Sequence, residues 1–361
     1  MGIEKFIRPD LVNFGGYSAH TSPDTLKDKV DIPVEKIIKL DANENVYGCS
    51  PKVGEALSKY PYLNVYPDDE QTVLRKLLEG YTGIDMKHIM AGSGSNQLID
   101  LILRLFINPG DEVINCVPTF AIYAFSTELC GGKLIEVPRK DDFTIDVRAI
   151  KAAINEKTKI LFLANPNSPT GTIIPQQDII EILDTGIPVV IDEAYYEFSE
   201  QTVAPLIHKY DNLMVLRSFS KWAGLAGLRV GYGFFPLTIA KYLLKTKIPY
   251  NVNVAALVAV QESLKDIEYL QKNVKAIISE RSRLFTELEK IEWLKPYSSQ
   301  ANFIFCLVLK GKAKELRQKL QDIGILVRCY EEAELKNFIR ISVGKPEHTD
   351  IIIKALKELG E

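Results

Sequence analysis

From about residue 88 the chain alternates short, nearly continuous apolar runs with longer stretches whose apolar positions recur at helical spacing. The runs at 112–116, 133–137, 159–163, 188–191, 213–216 and 228–234 predict strands. Several are β-branched and lack polar alternation, as expected of strands covered on both faces. Between them, LIDLILRLFI at 98–107 and VRAIKAAI at 147–154 read as amphipathic helices. Strand, helix and strand repeated in this way imply a mostly parallel sheet with right-handed crossovers.

Beyond about residue 250 the pattern changes. A single long helix is predicted over roughly 253–290, followed by strands at 302–309 and 337–344 around a helix at 312–322. This predicts a smaller α+β unit hinged on the long helix. The expected organisation is an N-terminal arm over 1–40 associated with the small domain, a large domain over 41–255 and a small C-terminal α+β domain over 256–361.

Composition narrows the functional classes. The chain has 361 residues, 46% of them hydrophobic and 25% charged, with a formal net charge of −3. That is an ordinary globular composition without the basic surplus that nucleic acid or an anionic membrane would call for. No apolar run approaches the roughly 20 residues of a spanning helix, and the N-terminus lacks an apolar leader core. Cys49, Cys116, Cys130, Cys306 and Cys329 are scattered without a CxxC pair, as are His20, His88, His208 and His348 without zinc-type spacing. A cytoplasmic protein with reduced cysteines and no protein-held metal is expected.

Open parallel sheets bind ligands outside the carboxyl ends of their strands, so the residues standing there carry the chemistry. GSGSNQ at 92–97 opens a helix and reads either as a capped turn or as a phosphate cradle, with Ser93, Ser95 and Asn96 as caps. It is neither GxxxxGK[ST] nor GxGxxG, which disfavours an NTPase and a nicotinamide oxidoreductase. Asp192 directly follows an apolar run and is expected at the buried end of a central strand, either capping a loop or facing a ligand cation. Tyr195 and Asn167 should reach the same space, and Phe120 offers a ring as lid or core. In SFSKWAGLAGLRVG (218–231), Ser218, Ser220 and Arg229 suit a phosphate, and Lys221 has no acidic neighbour in sequence. A lysine, an acid, a phenol, an amide, an aromatic ring and an anion cradle at one sheet edge are the contacts of pyridoxal phosphate.

These motifs resemble the class I/II pyridoxal-phosphate aminotransferases of fold type I, over nearly the whole length. LDANENVYG (40–48), VYPDDE (65–70), ANPNSPTG (164–171), DEAYYEF (192–198), SFSKWAGLAGLRVGYG and VRCY…FIRISVG (327–344) carry the resemblance, most specifically DEAYxEF combined with SKxxxLAGLRxGY. It implies an α/β fold with a large domain built on a mostly parallel seven-stranded sheet flanked by helices, plus a smaller α+β domain. It further implies that Lys221 forms the Schiff base, Asp192 pairs with the ring nitrogen, and Tyr195 and Asn167 contact the ring oxygen. Ser218, Ser220, Arg229 and the backbone of Gly94 and Ser95 would hold the phosphate, with Phe120 stacked on the ring. Tyr66 would reach into a neighbouring subunit's phosphate site, which makes a homodimer with shared active sites the expectation. Tyr17, Asn43, Asn167, Arg328 and Arg340 are the substrate-binding candidates. Val46 stands where the family commonly has proline, Asn96 where an acidic residue is usual, and Phe120 where tyrosine is common.

Within the family, the resemblance points to amino exchange between histidinol phosphate and glutamate/2-oxoglutarate in histidine biosynthesis. An aromatic amino acid aminotransferase and a phosphothreonine decarboxylase of the same fold share almost every cofactor motif. A non-catalytic ligand sensor of this fold would carry a helix-turn-helix extension, for which the short arm leaves no room.

Overall fold

In the computed structural model, residues 2–12, 14–17 and 32–360 are described; the 18–31 part of the expected arm, with His20, lies outside the described residues. The strands are β1 (Ile38–Leu40), β2 (Ile89–Gly92), β3 (Glu112–Val117), β4 (Lys133–Pro138), β5 (Thr158–Ala164), β6 (Val189–Asp192), β7 (Leu213–Ser218), β8 (Gly231–Phe234), β9 (Leu294–Tyr297), β10 (Phe303–Val308), β11 (Ile325–Cys329) and β12 (Phe338–Ser342).

Seven of them form a sheet in the order β2-β8-β7-β6-β5-β3-β4, parallel except for β8, which runs antiparallel to both neighbours. The expectation of a mostly parallel seven-stranded sheet holds. Its continuous apolar strands feed two separate cores: Leu161, Ile191 and Val215 pack on one face, Phe162, Val190 and Leu216 on the other. Coverage on both faces is what the missing polar alternation requires.

The run at 228–234 is shorter than expected as a strand. Leu228 closes a 3-10 turn and Arg229 takes the left-handed conformation at φ 52°, so extended backbone resumes only toward Gly231. The predicted single helix over 253–290 is two, Val254–Lys265 and Ile267–Glu289, parted at Asp266. Asp266 leaves the helical conformation there, and its carboxylate accepts from the hydroxyl of Ser50 at 2.6 Å and Nζ of Lys52 at 2.7 Å.

A second sheet, β1-β11-β12-β10-β9, holds the two strands expected near the C-terminus and three more that the hydrophobic pattern did not announce. β1 pairs in parallel with β11, so the segment just before residue 41 is tied to chain nearly 290 residues further on.

Candidate active site

In-register pairing sets Ala164, Asp192 and Leu216 side by side at the carboxyl ends of β5, β6 and β7. A cavity of about 270 Å³ opens there, and Tyr17, Ser95, Phe120, Asp192, Tyr195, Ser218, Ser220, Lys221 and Arg229 all line it. Residues separated by two hundred positions in sequence thus converge because parallel strands end at the same edge.

Ser95, Ser218, Ser220 and Arg229, all on the cavity wall, form a group suited to an anion. The helix Ser95–Phe106 begins after Gly94, whose φ of 75° suits glycine, and no side chain caps it. The expected caps are therefore corrected: Gly94 occupies the N-cap, and Ser93 instead donates its N–H to Oε1 of Gln97 at 2.7 Å. An uncapped N-terminus leaves N–H groups directed at the cavity, where the helix dipole favours an anion. A Cβ at Gly94 would meet Nη2 of Arg229 at 2.5 Å, so the glycine admits the guanidinium to the same cradle. Ser218 and Ser220 are buried beside it; Ser218 Oγ accepts from the N–H of Ser220 at 3.0 Å.

Asp192 is buried and accepts from the hydroxyl of Tyr123 at 2.8 Å and from the N–H of Ala194 at 3.0 Å. Burial pushes its carboxyl up to about 6, opposed by the Tyr123 hydrogen bond. Such a carboxylate gains most from a buried cationic partner. Phe120 stands edge-on to Tyr123, with ring centroids 5.7 Å apart, and covers the same space.

Lys221 Nζ donates to the carbonyl of Ala42 at 2.9 Å, and among the described residues no carboxylate pairs with it. Glu44, which lines the cavity, is held by Lys39 at 2.7 Å. Burial lowers the Lys221 pKa against the opposing pull of Tyr195 and Glu44, and the positive charges of Arg340 and Arg229 act with burial. An amine so placed is biased toward the neutral, nucleophilic form.

Tyr195 and Asn43 meet in a buried network that bridges the two sheets. The Asn43 amide donates to the Tyr195 hydroxyl at 2.9 Å and its Oδ1 accepts from Ser342 Oγ at 2.9 Å, while Asn302 donates to the Asn43 carbonyl at 3.0 Å. Asn167 is fully buried at the same strand edge, donating its two amide hydrogens to the Pro118 carbonyl and to Thr170 Oγ1. Arg340 donates to Ser168 Oγ at 3.0 Å and to the Asp41 carbonyl at 2.7 Å. Arg328 lies across from it on β11, as its register partner. Tyr17 packs edge-on against Phe125. Tyr66 is not brought to this cavity: it is 78% exposed and stacks on Tyr250 at 4.5 Å.

The motif reading missed Tyr123, the direct partner of Asp192. Tyr123 lies three positions after Phe120, in the first turn of the helix Ile122–Leu129 that follows β3. Ala42 and Ser168 were also missed, the first because it acts through its backbone.

The family model for aminotransferase class I and II matches residues 35–356. The chain belongs to the class I and II aminotransferases. It is 55% identical over 359 residues to a histidinol-phosphate aminotransferase of Dehalococcoides mccartyi, covering 99% of each chain. A chloroplastic histidinol-phosphate aminotransferase of Nicotiana plumbaginifolia is 45% identical, covering 98% of this chain and 86% of that one. Among solved structures, the histidinol-phosphate aminotransferase of Sinorhizobium meliloti in complex with pyridoxal 5'-phosphate is similar at a TM-score of 0.88 and 26% identity, covering 98% of this chain and 96% of that one.

As a class I/II aminotransferase the protein depends on pyridoxal phosphate, and its cavity fits that cofactor. A guanidinium beside an uncapped helix end, a buried carboxylate and an amine without a carboxylate partner all line this one cavity. This donor set answers a phosphate, a protonated ring nitrogen and an aldehyde respectively.

Proposed function

We propose that this aminotransferase moves an amino group from L-histidinol phosphate to 2-oxoglutarate, giving imidazole-acetol phosphate and glutamate, as a step of histidine biosynthesis. The observation that carries the reading is the pair of arginines, Arg328 and Arg340, set opposite each other on adjacent strands and joined to the cofactor cavity through Ser168. Two substrates that must use one site in turn share an anionic group, a carboxylate in one and a phosphate in the other. An arginine pair suits both. The names of the relatives at 55% and 45% identity support the same substrate.

Pyridoxal phosphate supplies, when bound, an aldehyde for amine capture and a protonated ring that accepts electrons from the substrate's Cα. The residues around it do the rest. Ser218, Ser220, Arg229 and the backbone at Gly94 and Ser95 hold the phosphate; Asp192 keeps the ring nitrogen protonated; Phe120 covers the ring. Tyr195 and Asn167 reach the ring oxygen, for which Asn167 redirects one of its amide hydrogens. Lys221 anchors the aldehyde carbon, and once displaced its Nζ takes the proton from Cα and returns it on the other side of the exchange. Arg340 takes the anionic group, with Arg328, Asn43 and Tyr17 completing the substrate side. Because the amino group is parked on the enzyme between substrates, the kinetics are ping-pong.

The working unit is a homodimer. Tyr62, Leu63, Val65 and Tyr66 expose a contiguous apolar stretch of chain, and Tyr66 on it extends to the partner's phosphate cradle. The enzyme works in the cytoplasm, in keeping with five unpaired cysteines and with the lack, among the described residues, of a helix long and apolar enough to cross a membrane.

The test is direct. The purified yellow protein should change its absorption spectrum on addition of histidinol phosphate and recover it with 2-oxoglutarate; borohydride should fix the label on the Lys221 peptide. A spectrum that responds to phenylalanine or phosphothreonine and ignores histidinol phosphate would defeat the substrate assignment.

A further inference from the structure

Beside the arginine pair two buried donors have no acceptor, Nε of Arg340 and the hydroxyl of Tyr330. Arg340 and Arg328 are register partners on antiparallel strands, so their side chains leave the same face of the small sheet. Like charges directly opposite repel, and an oxyanion reaching both would ease that repulsion. Arg340 Nη1 and Nη2 are already engaged by Ser168 and Asp41, whereas its buried Nε has no partner.

Tyr330 stands just past the end of β11, two residues after Arg328. Its ring lies edge-on to Phe305, with centroids 6.0 Å apart, and Phe305 is the register partner of Arg340 on the other side, β10. The Arg328 guanidinium is 5.9 Å from the Tyr330 ring centroid. The ring is therefore held on the arginine face. Its hydroxyl is buried and has no hydrogen-bond partner. Burial pushes the phenol up to about 12, with Arg340 and Arg328 pulling against it and Tyr195 acting with burial. The phenol keeps its proton.

A buried hydroxyl without a partner carries a desolvation penalty that is relieved when an acceptor arrives. The acceptor that fits is an oxyanion with more oxygens than an arginine can serve. A carboxylate offers two, which one bidentate guanidinium can take; a phosphate monoester offers three. We propose that the Tyr330 hydroxyl is a donor to the substrate's phosphate group, and that with Arg340 Nε it makes the pocket favour a phosphomonoester over a carboxylate. This rests on the reading of the substrate pair given above and assigns the discriminating atom within it.

The experiment is Tyr330→Phe in the holoenzyme, with each half-reaction followed separately by the cofactor spectrum. Apparent affinity for histidinol phosphate should fall about tenfold or more relative to the change for glutamate, as for loss of a hydrogen bond to a charged group. Binding of inorganic phosphate to the holoenzyme, measured by calorimetry, should weaken in parallel. The thermal midpoint of the substrate-free variant should equal or exceed the wild type, since a hydroxyl without a partner has been removed. Equal weakening of both substrates, no weakening, or a lowered midpoint would overturn the assignment. If the wild type bound inorganic phosphate yet ignored histidinol phosphate, the substrate reading would fail while the phosphate arm still tested Tyr330.

Discussion

The hydroxyl of Tyr123 donates to Oδ2 of Asp192 at 2.8 Å, inside a layer where Tyr123 also stacks on Phe162 with ring centroids 5.0 Å apart. The tyrosine is fully buried, so the bond has no competition from bulk water. Its effect is to hold down a carboxyl that burial otherwise raises. Tyr123→Phe keeps the stacking and removes the bond. Asp192 should then titrate above its value of about 6 in the cofactor-free protein. At neutral pH less of it would be charged to face the ring nitrogen. Cofactor affinity should fall by about tenfold, the scale of a hydrogen bond to a charged group. Equilibrium dialysis of the cofactor at pH 7 checks this, and an unchanged dissociation constant would count against the role given to Tyr123.

Much of the site could be read in advance because its residues sit where strand periodicity ends. Asp192 follows the apolar VVI of β6, and Lys221 lies in the loop after β7; both positions follow from a run of hydrophobic residues stopping at a sheet edge. What escaped lies where no period can form. β1 is three residues long, and β9 reads LKPY, with Pro296 and Lys295 masking a strand that pairs along one side with β10. The break at Asp266 escaped because its cause is remote, in the contacts with Ser50 and Lys52. Asn43 could be named from its motif. Its hydrogen bonds to Tyr195 and Ser342 span more than 150 residues and exist only once both sheets have formed.

Glu197 supplies a stability effect with a definite sign. Its two carboxylate oxygens are buried beside a second cavity, about 340 Å³, lined also by Tyr81, Arg217 and Trp222. Burial raises its carboxyl from 4.5 to about 8, against the pull of Arg217. The folded value lies above the unfolded one, so its contribution to stability is full below about 4.5 and is lost as pH rises to about 8. Glu197→Gln removes the titration. The variant should gain on the wild type between pH 5 and pH 8.5, by on the order of a few kcal/mol. Urea unfolding of both proteins at the two pH values measures this, and a stability difference that does not move with pH would refute it.

Gly94 combines two requirements that a single added methyl would break. Its φ of 75° with ψ of 163° is a combination essentially reserved for glycine, costing any other residue on the order of 1–3 kcal/mol. Its missing Cβ leaves the room that Nη2 of Arg229 occupies, 2.5 Å from where that carbon would stand. Arg229 is itself held by the carbonyl of Ala226 at 3.1 Å and reaches Ser220 Oγ at 3.5 Å. In Gly94→Ala the guanidinium must therefore swing away from the helix end, and the cradle loses its cation together with part of its helix N-terminus. Cofactor affinity should drop by about tenfold or more, as for a lost charge-assisted contact. The thermal midpoint should fall as well and recover partly when excess cofactor is added, since binding to the folded state alone stabilises it by mass action. Thermal melts across a cofactor series give both quantities at once. A variant that bound pyridoxal phosphate as tightly as the wild type would place the phosphate somewhere other than beside Gly94 and Arg229.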